Sequence, residues 1–248
     1  MPLVVDADAH VVETERTWEY MDEEAVRFRP KLVAPQDEPR NLRWMVEDKL
    51  RRRAMLGPQR GPQGRNTEAP EEAREMVDVE RRLSHMDQLG IDVQVLHNTI
   101  FIETVADRPE VEVAVCQSWN RWLAGIWKQG KGRLRWSCVI PIQTMDVALS
   151  AIRTAKEHGA VAVCLRPIEG NRTLVDPYFY PIYEEASRLD LAIAVHIANG
   201  NAAYCDVFRS PYDPGAAIGM IRAPTAIARH SYIMSEVPQR FPTLRWGF

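Results

Sequence analysis

Short apolar runs alternate with helical stripes along almost the whole of this 248-residue chain, and that alternation narrows the fold more than any single motif does. The runs lie at 2–10, 91–96, 134–140, 160–165, 191–195 and 244–248. Those at 160–165 and 191–195 are apolar at every position rather than at alternate ones, the pattern of strands covered on both faces. Between the runs, Met76, Val79, Leu83 and Met86 predict a helix over about 71–89, stopped by Gly90. Val115, Trp119, Trp122 and Ile126 mark the next, and Ala148, Ile152 and Ala155 a third, closed by Gly159. Asp176-Pro177 opens a helix to Leu189 with Asp as cap and Pro in the first turn. A last helix runs through Ile227, Met234 and Val237. Six strands with helices between them are an α/β chain built on a parallel sheet.

The pattern is interrupted by a polar excursion at about 14–70. At 56–66 it holds three Gly and two Pro among charges, the composition of a loop without a core of its own, and its position after the first strand suits either a lid or a merely tolerated surface insertion. Trp18, Tyr20 and Trp44 flank it, either walling a pocket or packing within the excursion. A net charge of −3 gives no electrostatic case for nucleic acid or an anionic membrane surface. No apolar run approaches the roughly 18 residues of a membrane span, and no secretory signal is visible. Cys116, Cys138, Cys164 and Cys205 show no CxxC pairing; Cys138 and Cys164 fall in strand-like runs and read as reduced core residues. The expected location is the cytoplasm.

Chemistry collects at strand ends. Asp8 and His10 lie two residues apart in the first strand, so their side chains share a face just as the apolar run ends. A carboxylate and an imidazole converging there suit a divalent metal; a solvated strand end is the plainer alternative. His196 closes the fifth strand, at the carboxyl end where parallel sheets keep their sites; a satisfied core histidine is the alternative. Arg166 ends the fourth and is expected either to clamp a substrate carboxylate or to make a salt bridge across the sheet mouth. His97 ends the second and is expected to face a substrate pocket. His85, His158 and His230 fall on or beside helices and read as structural, and the run Arg51-Arg52-Arg53 as solvated.

Asp6-x-Asp8-x-His10-Val11-Val12-Glu13, Val163-x-Leu165-Arg166-Pro167, Val195-His196 and Arg240-Phe241-Pro242-x-Leu244-Arg245 together resemble the amidohydrolase-related family. That family includes metal-dependent decarboxylases of the aminocarboxymuconate-semialdehyde and resorcylate types as well as hydrolases. The resemblance implies a (β/α)8 TIM-like barrel with about six of its eight strands in this chain: one incomplete barrel domain over 1–248, with the lid-like insertion at about 14–70. It implies one divalent ion held by Asp8, His10 and His196, zinc first, with manganese or iron as alternatives. Asp8 stands where many members carry His, which makes the site harder. The implied activity is decarboxylation or hydrolysis of a small carboxylated, possibly aromatic, substrate, with Arg166 and His97 on the substrate side. The catalytic acid or base is expected beyond Phe248, so the chain alone is expected to be inactive. With two strands lacking, the expectation is a protein partner that supplies them, or a homo-oligomer; the alternative is a non-catalytic, ligand-binding or regulatory half-barrel that stabilises a full-length relative.

Overall fold

A computed structural model describes residues 2–36, 42–54, 56, 69–198, 200–201, 203–204, 219 and 222–248. Six strands form one parallel sheet: β1 (Val5–His10), β5 (Val93–His97), β6 (Leu134–Cys138), β7 (Ala160–Leu165), β10 (Ala192–Val195) and β11 (Trp246–Gly247), hydrogen-bonded in that order. The expected α/β sheet of barrel type is present. Each strand pairs with the next one of the set along the chain, so every crossover carries its helix to the same side of the sheet. Those helices are α2 (Val79–Leu89), α3 (Pro109–Gln129), α4 (Met145–Glu157), α5 (Tyr180–Arg188), α6 (Ala223–Met234) and α7 (Val237–Arg240), with a short α1 (Glu71–Arg74) before them. Trp119, Leu123, Ile152, Ile182 and Tyr183 are fully buried and belong to one apolar core that extends from Ala9 to Leu244.

Three elements depart from the periodicity reading. The helix over 71–89 is two helices, because Met76 adopts a left-handed φ of 54° and Val77 N–H donates back to Glu72 O, a Schellman stop without glycine. Asp78 then caps α2, its carboxylate accepting from Arg81 N. The last helix is likewise divided, with Ser235 and Glu236 between α6 and α7. The excursion at 14–70 is not without structure: β2 (Lys31–Val33), β3 (Arg43–Val46) and β4 (Lys49–Arg53) form an antiparallel sheet, and a further antiparallel pair, β8 (Ile168–Glu169) and β9 (Arg172–Thr173), follows β7. Trp18 and Trp44 pack edge to face at 5.7 Å and are buried, so they build core rather than a pocket wall, while Tyr20 is exposed. The loop expected as a lid lies, apart from Leu56, outside the described residues, as does Cys205.

Cys116, Cys138 and Cys164 are unpaired, and burial pushes their thiols up, that of Cys164 to about 11, so they are inert packing groups. The turn from α4 into β7 needs Gly159, whose φ is +82° and whose place for a side chain is filled by the Trp127 indole. Gly159→Ala is expected to destabilise the fold by about 1–3 kcal/mol, read as a lower urea midpoint with an unchanged slope.

Candidate metal centre

The carboxyl ends of β1, β5, β7 and β10 meet on one side of the sheet, and the site is built there. In β1 the pairing with β5 slips between Asp6 and Ala9, a bulge that leaves Ala7-Asp8 out of register. His97 holds this distorted stretch: its Nε2–H donates to the Ala7 carbonyl at 3.0 Å. The Ser137 hydroxyl donates to the other nitrogen, His97 Nδ1, at 2.8 Å. His97 lines a cavity and has both ring nitrogens engaged by the protein. Asp8 N–H donates to Asp6 Oδ1, Asp6 Oδ2 accepts from Gln94, and Gln94 Oε1 accepts from Arg82 Nε at 2.7 Å. A second Arg82 nitrogen reaches the His10 carbonyl, so one buried guanidinium braces both ends of the Asp8–His10 segment. Desolvation lowers the Arg82 pKa to about 10, which leaves it charged at neutral pH.

Asp8, His10 and His196 converge. His196 Nε2 lies 3.2 Å from Asp8 Oδ1 and 3.0 Å from His10 Nε2, and His10 Nε2 lies 3.8 Å from the same carboxylate. The two rings meet edge on, with centroids 4.8 Å apart. Hydrogen bonding fixes which nitrogens face inward. The Thr99 hydroxyl gives its proton to Val11 O at 2.6 Å, so it can only accept from His10 Nδ1–H, 3.3 Å away. His196 Nδ1 faces the Ile197 carbonyl at 3.2 Å and must donate to it. In neutral rings both Nε2 atoms then carry lone pairs, and the lone pairs point at one another. Burial and the neighbouring His196 lower the His10 pKa to about 4, which keeps the ring neutral. Two neutral lone pairs and a carboxylate around one point are the donor set of a cation. Nitrogens about 2.0–2.1 Å from a common ion are about 2.8–3.4 Å apart across octahedral to tetrahedral angles, a range that includes the observed separation.

A cavity of about 610 Å³ opens over this cluster, lined by Asp8, His97 and His196, by Arg229 of α6 and by Arg222 just before that helix. Arg166 does not line it. Its guanidinium is engaged by Glu169 through Nε and Nη2 and by the Phe101 and Glu103 carbonyls through Nη1. Arg166 thus forms an ion pair, local to its own turn with Glu169 three residues on rather than across the sheet mouth. The pair borders a second cavity of about 450 Å³ shared with Glu112, Gln143 and Arg172.

Several positioning residues had escaped the sequence reading. Glu13 is buried and accepts from Thr99 N, Ile100 N and Trp119 Nε1, which sets the turn that presents Thr99 to His10. Arg82 had left a trace, a cation on the apolar stripe of Val79 and Met86. Gln94, Ser137 and Glu169 sit inside or beside apolar strands without any periodic signal.

With this geometry established, comparison with known proteins assigns the chain. The amidohydrolase family model matches residues 5–248, and the chain belongs to that family. Among solved structures it is similar to an amidohydrolase from Mycobacterium avium subsp. paratuberculosis K-10, with a TM-score of 0.78 at 16% identity over 98% of this chain and 72% of that one. It is also similar to 5-carboxyvanillate decarboxylase from Sphingomonas paucimobilis, with a TM-score of 0.64 at 16% identity over 98% and 66% of the two chains. A third likeness is to 4-oxalomesaconate hydratase from Rhodopseudomonas palustris, with a TM-score of 0.56 at 16% identity over 98% and 61%. At such identities the likeness carries the fold alone, and a decarboxylase and a hydratase share it.

Glu112 offers a test of the site's electrostatics. Burial pushes its carboxyl up to about 7, against the pull of Gln143 N–H. The folded state therefore holds this proton where the unfolded chain releases it, so the stability it contributes is lost as pH rises from about 4.5 through 7. Glu112→Gln keeps an oxygen for Gln143 N–H and removes the titration. It is expected to be more stable than wild type at pH 8, by on the order of 2–3 kcal/mol. Urea titrations at both ends of this range should show the gain shrink towards pH 4.

Proposed function

We propose that the protein is a metal-dependent enzyme that decarboxylates or hydrolyses a small carboxylated substrate, and that Asp8, His10 and His196 hold its single divalent ion. The observation that supports this most is the 3.0 Å approach of two Nε2 lone pairs beside a carboxylate, an arrangement that repels itself unless a cation lies between them. Two imidazoles and a carboxylate suit zinc first and manganese or iron next. Such an ion supplies Lewis acidity, stabilising negative charge that develops on a substrate oxygen. The chain's own residues do the rest. Thr99 and the Ile197 carbonyl keep the two rings in the ligating tautomer, and His97 and Arg82 hold the Asp8 strand in place. Arg222 and Arg229 give the cavity a positive wall that favours an anionic substrate, the part expected of Arg166 from the sequence.

No described helix is long and apolar enough to cross a membrane. Unpaired buried cysteines suit a reducing compartment such as the cytoplasm. We further propose that a protein partner or a second copy covers the exposed Leu3, Val4, Val5 and Phe248 at the two sheet edges.

Metal analysis of the natively purified protein should find one divalent ion per chain, and His196→Ala should lose it. Equal metal content in the two would remove His196 from the site. Carbon dioxide release from carboxylated phenols, set against hydrolysis of amides and lactones, separates the two reactions.

A further inference from the structure

We infer that Gly200 and the Arg166–Glu169 pair form a seat that positions His196 for the metal, an inference that rests on the metal reading above. His196 sits between two anchors on the same stretch of chain. On one side its N–H donates to Leu165 O at 3.0 Å, continuing the β7 ladder. On the other, Gly200 pairs with Glu169 as a parallel bridge: its N–H donates to Ile168 O at 2.9 Å and its carbonyl accepts from Gly170 N–H. The Thr104 hydroxyl donates to the same carbonyl at 3.1 Å, and Asn201 Nδ2 donates to Gly170 O at 2.6 Å. The Ile197 carbonyl, which fixes the His196 tautomer, lies within this short span. Gly200 lies three residues beyond that carbonyl, so its dock restrains the chain that carries it.

The dock is tight. A methyl at Gly200 would overlap the Ile168 carbonyl and come within 2.9 Å of Arg166 Nε and 3.2 Å of Glu169 Oε2. The floor beneath it is the ion pair. Glu169 accepts from Arg166 N as well as from the guanidinium, closing the turn 166–169, and Arg166 ties that turn to the Phe101 and Glu103 carbonyls. The pair is buried, so removing one partner leaves the other uncompensated and the turn free to shift. Arg166 and Glu169 act on the metal through His196 and are positioning residues.

The test is the affinity of the full-length protein for zinc(II) alone, by chelator competition, with the visible spectrum of the cobalt(II)-loaded protein as a report on ligand geometry. Gly200→Ala and Glu169→Gln should each weaken zinc binding about 10–100-fold and change the cobalt spectrum while far-ultraviolet circular dichroism stays the same. Arg166→Lys, which keeps the charge and loses the planar fork, should fall between them and wild type. Unchanged affinity and spectrum in both variants, with His196→Ala metal-free, would overturn the seat and leave the metal reading intact. Reduced stability with an unchanged cobalt spectrum would also overturn it, as a structural role only. Wild-type zinc binding by His196→Ala would overturn the metal reading and the seat together. If Gly200→Ala cannot be obtained folded, Glu169→Gln decides.

Discussion

Two of the proposed ligands come from strands four steps apart in the sheet, β1 and β10, and their nitrogens nevertheless lie 3.0 Å from one another. A flat sheet at about 4.8 Å per strand would hold those strands about 19 Å apart. The site therefore exists only because the sheet curls, and everything that sustains the curl sustains the site. Strand twist supplies the tendency, and one-sided helix packing fixes it. α3, α4 and α5 bury Trp119, Leu123, Ile152, Ile182 and Tyr183 against the outer face. Parallel pairing does the complementary work, since it sends all the carboxyl ends to one side, where His10, His97, Arg166 and His196 emerge together.

Convergence alone does not make ligands, because an imidazole must also present the correct nitrogen. Here each Nδ1 is occupied from outside, His10 by Thr99 and His196 by Ile197. Both arrangements rest on buried polar groups whose hydrogen bonds the fold keeps satisfied. Glu13 would be costly in the core without its three N–H donors, and with them it locks the turn that carries Thr99. Arg166 and Glu169 neutralise one another under the loop that carries Ile197. The ligands are thus oriented by two separate polar devices, one for each histidine.

All six strands were legible in the sequence, as were Asp8, His10 and His196, because each signal is local: an unbroken apolar run, a two-residue spacing, a polar residue where the run stops. The insertion's sheet was not. Its β3–β4 hairpin turns on Glu47 and Asp48, with φ of 56° and 58°, where a primed turn ordinarily shows Asn-Gly. Long-range contacts enforce that strain, since Glu47 accepts from Asp107 N, Arg108 N and Arg108 Nε. The break at Met76 was hidden in the same way, a left-handed residue without glycine. For Arg166 the sequence left two partners open, and the acid three residues on, Glu169, forms an ion pair with it.

Asp8 carries the last consequence of the curl. It lies on the edge strand and is exposed, unlike the two rings it meets, so neither packing nor burial holds its side chain. Its position comes instead from the backbone. The bulge turns Asp8 towards His196, His97 grips the Ala7 carbonyl before it, and Asp6 accepts its N–H. Asp6 and Asp8 so close together would repel one another, and the buried Arg82, linked to Asp6 through Gln94, offsets that charge. A carboxylate at this position adds a negative charge and a harder oxygen to two imidazoles, and its second oxygen can shift as coordination changes. Of the three proposed ligands the carboxylate is thus the exposed one, and the histidines are those whose outward nitrogens the fold already holds.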